Sequence, residues 1–167
     1  RAVEVLEAGP RAKQSTNVTV EGYEDEGAPS SEGAGYVVML IESKASLQNA
    51  VRERLKSRGY RVLVISDPNR ALARFTEIDE APADCVVFSA AELGGLALEA
   101  FNRFATDEHT SHIPSILLVD SRQTSVIKGA RRGPKQTLLS LPLKVRELRT
   151  ALQKALSNVE RRDARPY

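Results

Sequence analysis

Short runs of apolar residues alternate with amphipathic segments along most of the chain. From Tyr36 onward five apolar runs occur, and each is followed by apolar residues at helical spacing. Continuous apolar runs are typical of strands that are buried on both faces, because no position alternates with solvent. Strands separated by helices must pair in parallel, with helices covering both faces of the sheet. The pattern predicts an α/β fold with a doubly wound, five-stranded parallel sheet in the strand order 2-1-3-4-5.

Local signals place the boundaries of these elements. The predicted strands have the sequences YVVMLI, YRVLVI, DCVVF, SILLV and TLLSL. Gly59 ends the first helix, and Asp67 followed by Pro68 opens the second as N-cap and first helical residue. A long last helix is predicted over 144–162. The inward-facing residues are predicted to be Leu47, Ala50, Val51 and Leu55 in the first helix and Val145, Leu148, Leu152 and Leu156 in the last.

The flanking sequence differs in composition from the strand–helix region. Residues 1–10 resemble the end of a preceding domain or a short helix, and 11–35 are rich in Gly, Ser and Glu without a period. That composition predicts a flexible linker, in which NVTV is the one stretch that suits an added edge strand. The domain is predicted over 36–158, with a C-terminal tail over 159–167.

Composition narrows the class of protein. Apolar residues make up 41% and charged residues 28% of the chain, with a formal net charge of +2, as in ordinary globular domains without a polycationic surface for nucleic acid. No apolar run reaches the length of a membrane span. Cys85 lies inside an apolar run and is predicted to be a buried structural thiol. We expect a fragment of a larger cytoplasmic protein that contacts neither membrane nor nucleic acid.

Several local sequences, in order, resemble the response-regulator receiver domain, the chemotaxis-type phosphoacceptor fold. These are LIES, DPNRALARF, PADCVVFS, IPSILLV and LSLPLKVRELRTAL. The resemblance covers about residues 36–156 and implies a flavodoxin-like (βα)₅ domain that works in two-component signal transduction.

The same resemblance implies that the reactive site is degenerate. In the family, two acids after strand 1 hold Mg²⁺, an Asp ending strand 3 accepts the phosphoryl group, and a Thr or Ser and a Lys follow strands 4 and 5. The matching positions here are Glu42, Ser43, Ser89, Val119 and Leu141. Mg²⁺ needs hard anionic oxygens, and one carboxylate remains. Serine is a poor nucleophile without a base, and none lies beside Ser89 in the sequence. The resemblance therefore implies a pseudo-receiver without catalytic residues, metal or cofactor.

Other polar residues leave alternatives open. Asp120 either turns into the predicted site or caps the fourth helix, and Glu92 is expected to be solvated. Gly94 and Gly95 lack the Lys-Ser/Thr that completes a phosphate loop. His109 and His112 form a loop pair without further ligands, which is weak support for a metal site.

A basic stretch stands out between the fourth and fifth strands. It carries Lys128, Arg131, Arg132 and Lys135, with Arg122 nearby and Arg146 and Arg149 expected on the outer face of the last helix. It is either a solvated loop or a contact surface for an anionic partner. The predicted partners are a neighbouring domain of the same protein, another signalling protein or a second copy. Two alternatives stay open: sensing of a small anion such as a cyclic dinucleotide, and phosphorylation at a non-standard position.

Overall fold

The architecture is taken from a computed structural model, which describes residues 20–21, 30–77 and 79–164. The elements in these ranges are β1 Val20–Glu21, β2 Val37–Ile41, α1 Ala45–Lys56, β3 Arg61–Ile65, α2 Pro68–Glu77, β4 Cys85–Ser89, α3 Ala90–Leu93, α4 Gly95–Thr106, β5 Ser115–Asp120, α5 Thr124–Gly129, β6 Gln136–Leu141, β7 Leu143–Lys144, α6 Val145–Ala155 and a 3₁₀ turn Arg162–Ala164. None of the helices in these ranges is long and apolar enough to cross a membrane.

The main sheet has the predicted topology. Its five strands are all parallel and lie in the order β3-β2-β4-β5-β6. Since β2 is the first of the five along the chain, this is the order 2-1-3-4-5, and the predicted fold class is confirmed. The central strands are buried on both faces, which explains their uninterrupted apolar sequences.

Two apolar cores lie on opposite faces of the sheet. Met39 and Ile41 of β2 point to the core shared with α2 and α4, whereas Val38 and Leu40 point to the core shared with α1 and α6. Four buried aromatic rings fill the first core and make three edge-to-face contacts, at centroid separations of 5.0–5.6 Å. The rings belong to Phe75, Phe88, Phe101 and Phe104, with Phe104 and Phe88 each contacting two others.

The predicted helices form, with one error of length. The second helix begins at Pro68, and its capping Asp67 accepts a hydrogen bond from the Asn69 amide at 2.9 Å. The predicted inward residues are buried, apart from the half-buried Ala50. The predicted last helix is too long, because α6 ends at Ala155 and the chain then bends. The Tyr36 hydroxyl donates to the Val159 carbonyl at 2.7 Å and so fixes this bend.

The packed region extends beyond the predicted domain boundaries at both ends. Within the predicted linker, Ser30 donates to the Ser57 carbonyl at 3.2 Å and Gly33 to the Arg58 carbonyl at 2.8 Å. The described part of the predicted tail also contacts the domain. Val20, the last residue of NVTV, pairs with Leu143 in the two-stranded sheet of β1 and β7. Residues 1–19, 22–29 and 165–167 lie outside the described residues, so the predictions for them stand as predictions.

Candidate functional site at the carboxyl edge of the sheet

Parallel strands bring their carboxyl ends to one edge of the sheet. The residues predicted from the sequence lie at these ends: Glu42 directly after β2, Ser89 at the end of β4, Val119 near the end of β5 and Leu141 at the end of β6. The strand registers place these ends side by side. The structure thus gathers the predicted positions at one edge.

A buried hydrogen-bonded pair occupies the centre of this edge. Glu42 and Ser89 are both fully buried, and the Ser89 hydroxyl donates to Oε1 of Glu42. Oε2 of Glu42 accepts the backbone N–H of Lys44 at 2.7 Å. Both oxygens of the remaining carboxylate therefore have partners inside the protein. Ser43, at the second acidic position, is exposed.

This pair corrects one expectation from the sequence. No base adjoins Ser89 along the chain, yet the fold places the Glu42 carboxylate against its hydroxyl although the two residues are 47 positions apart. The pairing follows from β2 and β4 being neighbours in the sheet, which local sequence does not reveal.

The other two positions at the edge are apolar and buried. Val119 packs in the core of α2 and α4, and Leu141 packs in the core of α1 and α6. A valine side chain donates no hydrogen bond, and a leucine side chain carries no charge. Neither side chain is able to bind a phosphoryl oxygen.

Asp120 is engaged at the surface rather than at the edge pair. Its carboxylate accepts hydrogen bonds from Nε of Arg122 at 3.1 Å and from Nη2 at 3.0 Å. Hydrogen bonding to Arg122 lowers the pKa of Asp120 to about 2. It does not cap α5 either, because that helix begins at Thr124 after Gln123.

Two glutamines that the sequence analysis did not single out close the edge. Gln123 donates from Nε2 to the Ala90 carbonyl at 2.8 Å and accepts the Asp120 amide at 2.9 Å. Gln48 donates from Nε2 to the Glu42 carbonyl and lies 3.2 Å from the Ser66 hydroxyl. No motif marks either residue, since an amide in a loop or on a helix face is ordinary in any soluble protein.

The donor set does not fit Mg²⁺. Mg²⁺ takes an octahedral shell of hard oxygens, usually with carboxylates, whereas the edge offers one carboxylate whose oxygens are already bonded. Within the described ranges, no group of three or more His, Cys, Asp or Glu side chains is arranged to hold a metal. Glu92 is exposed. His109 pairs with Asp107 at 3.3 Å, and the His109–His112 pair gains no third ligand.

The chain matches known proteins in structure but not in sequence. No protein-family model matches the chain, and no curated protein matches it. Solved structures do match, with a receiver domain of a sensor histidine kinase from Pseudomonas aeruginosa giving a TM-score of 0.62 at 20% identity, over 75% of this chain and 100% of that one. The chain has the receiver fold. A signal receiver domain of a histidine kinase from Syntrophus aciditrophicus gives a TM-score of 0.62 at 15% identity, over 79% of this chain and 98% of that one.

In this receiver fold the basic segment, Lys128 to Lys135, is exposed and rigidly held. All four of its cationic side chains are exposed. Asn102 of α4 fixes the backbone of the segment: its Nδ2 donates to the Gly129 carbonyl at 2.9 Å, and its Oδ1 accepts the Arg131 amide at 2.9 Å. Arg132 also donates to the Ile127 carbonyl at 3.0 Å. Among the described residues, no carboxylate forms a salt bridge with the four cations.

The expectation for Arg149 was wrong. Its guanidinium contacts Glu32 at 2.7 Å, and the two side chains are only 20% and 14% exposed. Arg149 therefore belongs to a half-buried ion pair with a residue of the predicted linker and adds nothing to an outer basic face. Arg146 is exposed, as predicted.

Cys85 is the structural thiol that the sequence predicts. It is fully buried in the core of α1 and α6. Burial, together with the nearby Asp84 carboxylate, raises the pKa of the thiol to about 12. The raised pKa disfavours the thiolate that nucleophilic chemistry needs.

Proposed function

We propose that this domain is a non-phosphorylatable receiver-like module that acts through protein contacts in a signalling protein. The observation that carries the proposal is the fully buried Ser89–Glu42 hydrogen bond at the position where the family accepts its phosphoryl group. Together with the Lys44 amide, this hydrogen bond satisfies both oxygens of the Glu42 carboxylate without a metal ion. The role that we propose with it is regulatory and non-enzymatic, in the cytoplasm.

Most of the groups that phosphoryl transfer requires are missing. Catalysis of this transfer rests on positioning and on neutralising charge at the phosphoryl oxygens. The residues at the Thr/Ser and Lys positions, Val119 and Leu141, are apolar, and Ser43 contributes no carboxylate. A phosphoryl group at Ser89 would lie in a buried space beside the Glu42 carboxylate, where like charges repel.

One alternative has a specific observation in its favour. The Glu42 carboxylate accepts the Ser89 hydroxyl hydrogen bond, which is the geometry of a base beside a nucleophile. Phosphorylation at Ser89, a non-standard acceptor, would use this pair. Burial argues against this alternative, because neither side chain is exposed to a phosphodonor in solvent.

The basic segment is the docking face that we propose. Its exposed cations lack described anionic partners, and Asn102 holds the loop in place, so that little entropy is lost on binding. Each partly desolvated contact between arginine and carboxylate contributes about 1–3 kcal/mol, and two or three give reversible, micromolar recognition. The partner is then an acidic surface on a neighbouring domain, on another signalling protein or on a second copy.

Charge reversal tests this face. Arg131→Glu/Arg132→Glu should weaken capture of the physiological partner at least tenfold, because two attractions become repulsions. Arg70→Glu/Arg74→Glu, at exposed positions of α2, is the matched control. It makes the same change of charge near β3, at the edge of the sheet opposite to β6. Equal binding by both variants and the parent, with unchanged circular dichroism, would remove the face from consideration. Calorimetry with a cyclic dinucleotide separates the small-anion alternative: saturable heat that only the first variant loses would favour it.

A further inference from the structure

The chain that leaves the domain is fastened to the end of the sheet opposite the candidate site. This end, called the base here, consists of the residues around the amino ends of β2 and β4. Arg162, in the 3₁₀ turn after α6, donates from Nε to Oδ2 of Asp84 at 3.0 Å and from Nη2 to Oδ1 at 3.3 Å. Its Nη2 also donates to the Ala81 carbonyl at 2.8 Å.

The carboxylate that receives Arg162 is buried and also accepts a backbone hydrogen bond. The Asp84 side chain is 4% exposed, and its Oδ2 also accepts the Val37 amide at 2.8 Å. The Val37 amide therefore anchors this carboxylate at the first residue of β2. A buried carboxylate needs a counter-charge with good hydrogen-bond geometry, and the fork of a guanidinium supplies it. Glu80, at 3.5 Å from Arg162 Nη1, adds a second negative charge at the rim.

The neighbouring arginine binds the chain that enters the domain. Arg161 donates from Nη1 to the Glu32 carbonyl at 3.3 Å and to the Ala34 carbonyl. Its guanidinium carbon lies 4.6 Å from the centre of the Tyr36 ring, a cation–π contact. The backbone completes the junction, because the Arg162 amide donates to the Gly35 carbonyl at 2.8 Å.

One glycine in the entering segment makes this contact possible, and a second allows close packing on Tyr60. Gly35 has φ of +82°, and a Cβ there would lie 2.7 Å from Cβ of Arg161 and 2.9 Å from Oδ1 of Asp163. A Cβ at Gly33 would overlap the ring of Tyr60. The sequence EGAG, whose composition resembles a linker, is therefore shaped to receive the C-terminal segment.

We propose that the base carries a guanidinium-binding site, formed by Asp84 and the Ala81 carbonyl and filled in cis by Arg162, which clamps the leaving chain against the entering chain. The ligand class is an arginine presented by a short turn, as Arg162 is here. The site is independent of the carboxyl edge and of the proposed function. It holds residues 30–35 and 159–164 against each other, and losing one contact loosens both segments, since Arg161 and Arg162 hold them together.

Hydrogen exchange on the full chain tests the clamp. Arg162→Ala should speed exchange of the Arg162, Val37 and Tyr36 amides by about 100-fold, because a buried carboxylate loses its counter-charge. Arg162→Lys keeps the charge without the fork and should give an intermediate effect. Arg146→Ala, at an exposed position on α6, is the matched control and should change nothing. Equal exchange in the alanine variant and the control would overturn the proposal.

A second measurement shows binding rather than mere stability. The probe is a synthetic peptide of residues 157–167, titrated onto the full chain carrying Arg161→Ala/Arg162→Ala. We expect saturable binding that restores protection of the Val37 amide and that is lost when the peptide carries Arg162→Ala or the chain also carries Asp84→Asn. Binding that is indifferent to both changes, or no binding to a chain that circular dichroism shows to be folded, would contradict a guanidinium site. If the double variant does not fold, Arg162→Lys takes its place in the same titration.

Discussion

At the scale of single residues, the candidate site is a closed hydrogen-bond arrangement. The Ser89 hydroxyl donates a hydrogen bond to one carboxylate oxygen of Glu42, and the backbone N–H of Lys44 donates to the other. Each oxygen of this buried carboxylate accepts a hydrogen bond, whereas a second buried carboxylate beside it would repel it. The identity of residue 89 thus decides whether the edge requires a metal.

Ser89→Asp tests this dependence on one residue. The new carboxylate should lower the free energy of unfolding by about 3 kcal/mol, because two like charges share a buried space. Adding Mg²⁺ should recover part of the loss, and Ser43→Asp should strengthen that recovery by adding a third carboxylate. Chemical denaturation with and without Mg²⁺ measures both effects.

Ser89→Asn is the control for the Ser89→Asp variant, since it has nearly the same shape without the charge. It should be milder and insensitive to Mg²⁺, as should the parent. Equal losses for the two variants, or a parent stabilised by millimolar Mg²⁺ through Glu42, would show that charge at the edge is not the deciding quantity.

At the scale of elements, short side-chain bridges hold the loops at both ends of the sheet. Gln123 ties the start of α5 to the first residue of α3, directly after β4, and Asn102 ties α4 to the loop that carries the basic segment. Tyr36 ends α6 by binding carbonyls that follow it. These bridges join residues distant in sequence, so they form only after the helices pack on the sheet.

Asn102→Ala tests whether partner binding by the basic segment depends on the hydrogen bonds from Asn102 that fix its backbone. Removing both hydrogen bonds should cost about 1–2 kcal/mol of stability and speed exchange of the Arg131 amide. Partner binding should weaken although every cation remains. Asn102→Asp is the control: it keeps the acceptor for Arg131 but loses the donor to Gly129, and should fall between parent and alanine. Unchanged partner affinity in the alanine variant would mean that binding depends on the charges alone and not on a fixed backbone.

At the scale of the whole molecule, the spacing of apolar residues predicts the features of the fold that depend on burying those residues. The apolar run Val37–Ile41 and the spaced leucines of α1 and α6 are set by the two cores, so strand order and helix faces follow from the sequence. The positions of Glu42 and Ser89 at one edge follow from that topology. Their hydrogen bond does not, because it depends on side-chain geometry across neighbouring strands.

Two errors of the sequence analysis lie at the base. Glycine-rich sequence is read as a linker because glycine lowers helix and strand propensity. Here Gly33 and Gly35 serve close approach to Tyr60 and Arg161, a tertiary demand that composition does not reveal. The predicted extension of α6 fails for the same reason: Arg161 and Arg162 suit a helix, but their partners lie at the amino end of the sheet.

The most direct test of the account is phosphoryl uptake by the full chain. The protein is incubated with acetyl phosphate or phosphoramidate and excess Mg²⁺, and its intact mass is measured at once, with an active receiver domain as positive control and Ser89→Ala beside the parent. We predict no gain in mass for the parent, because Ser89 is buried and bonded to Glu42 and because the edge offers no metal site. A gain of one phosphoryl group by the parent, lost in Ser89→Ala, would contradict the account and establish Ser89 as a working phosphoacceptor.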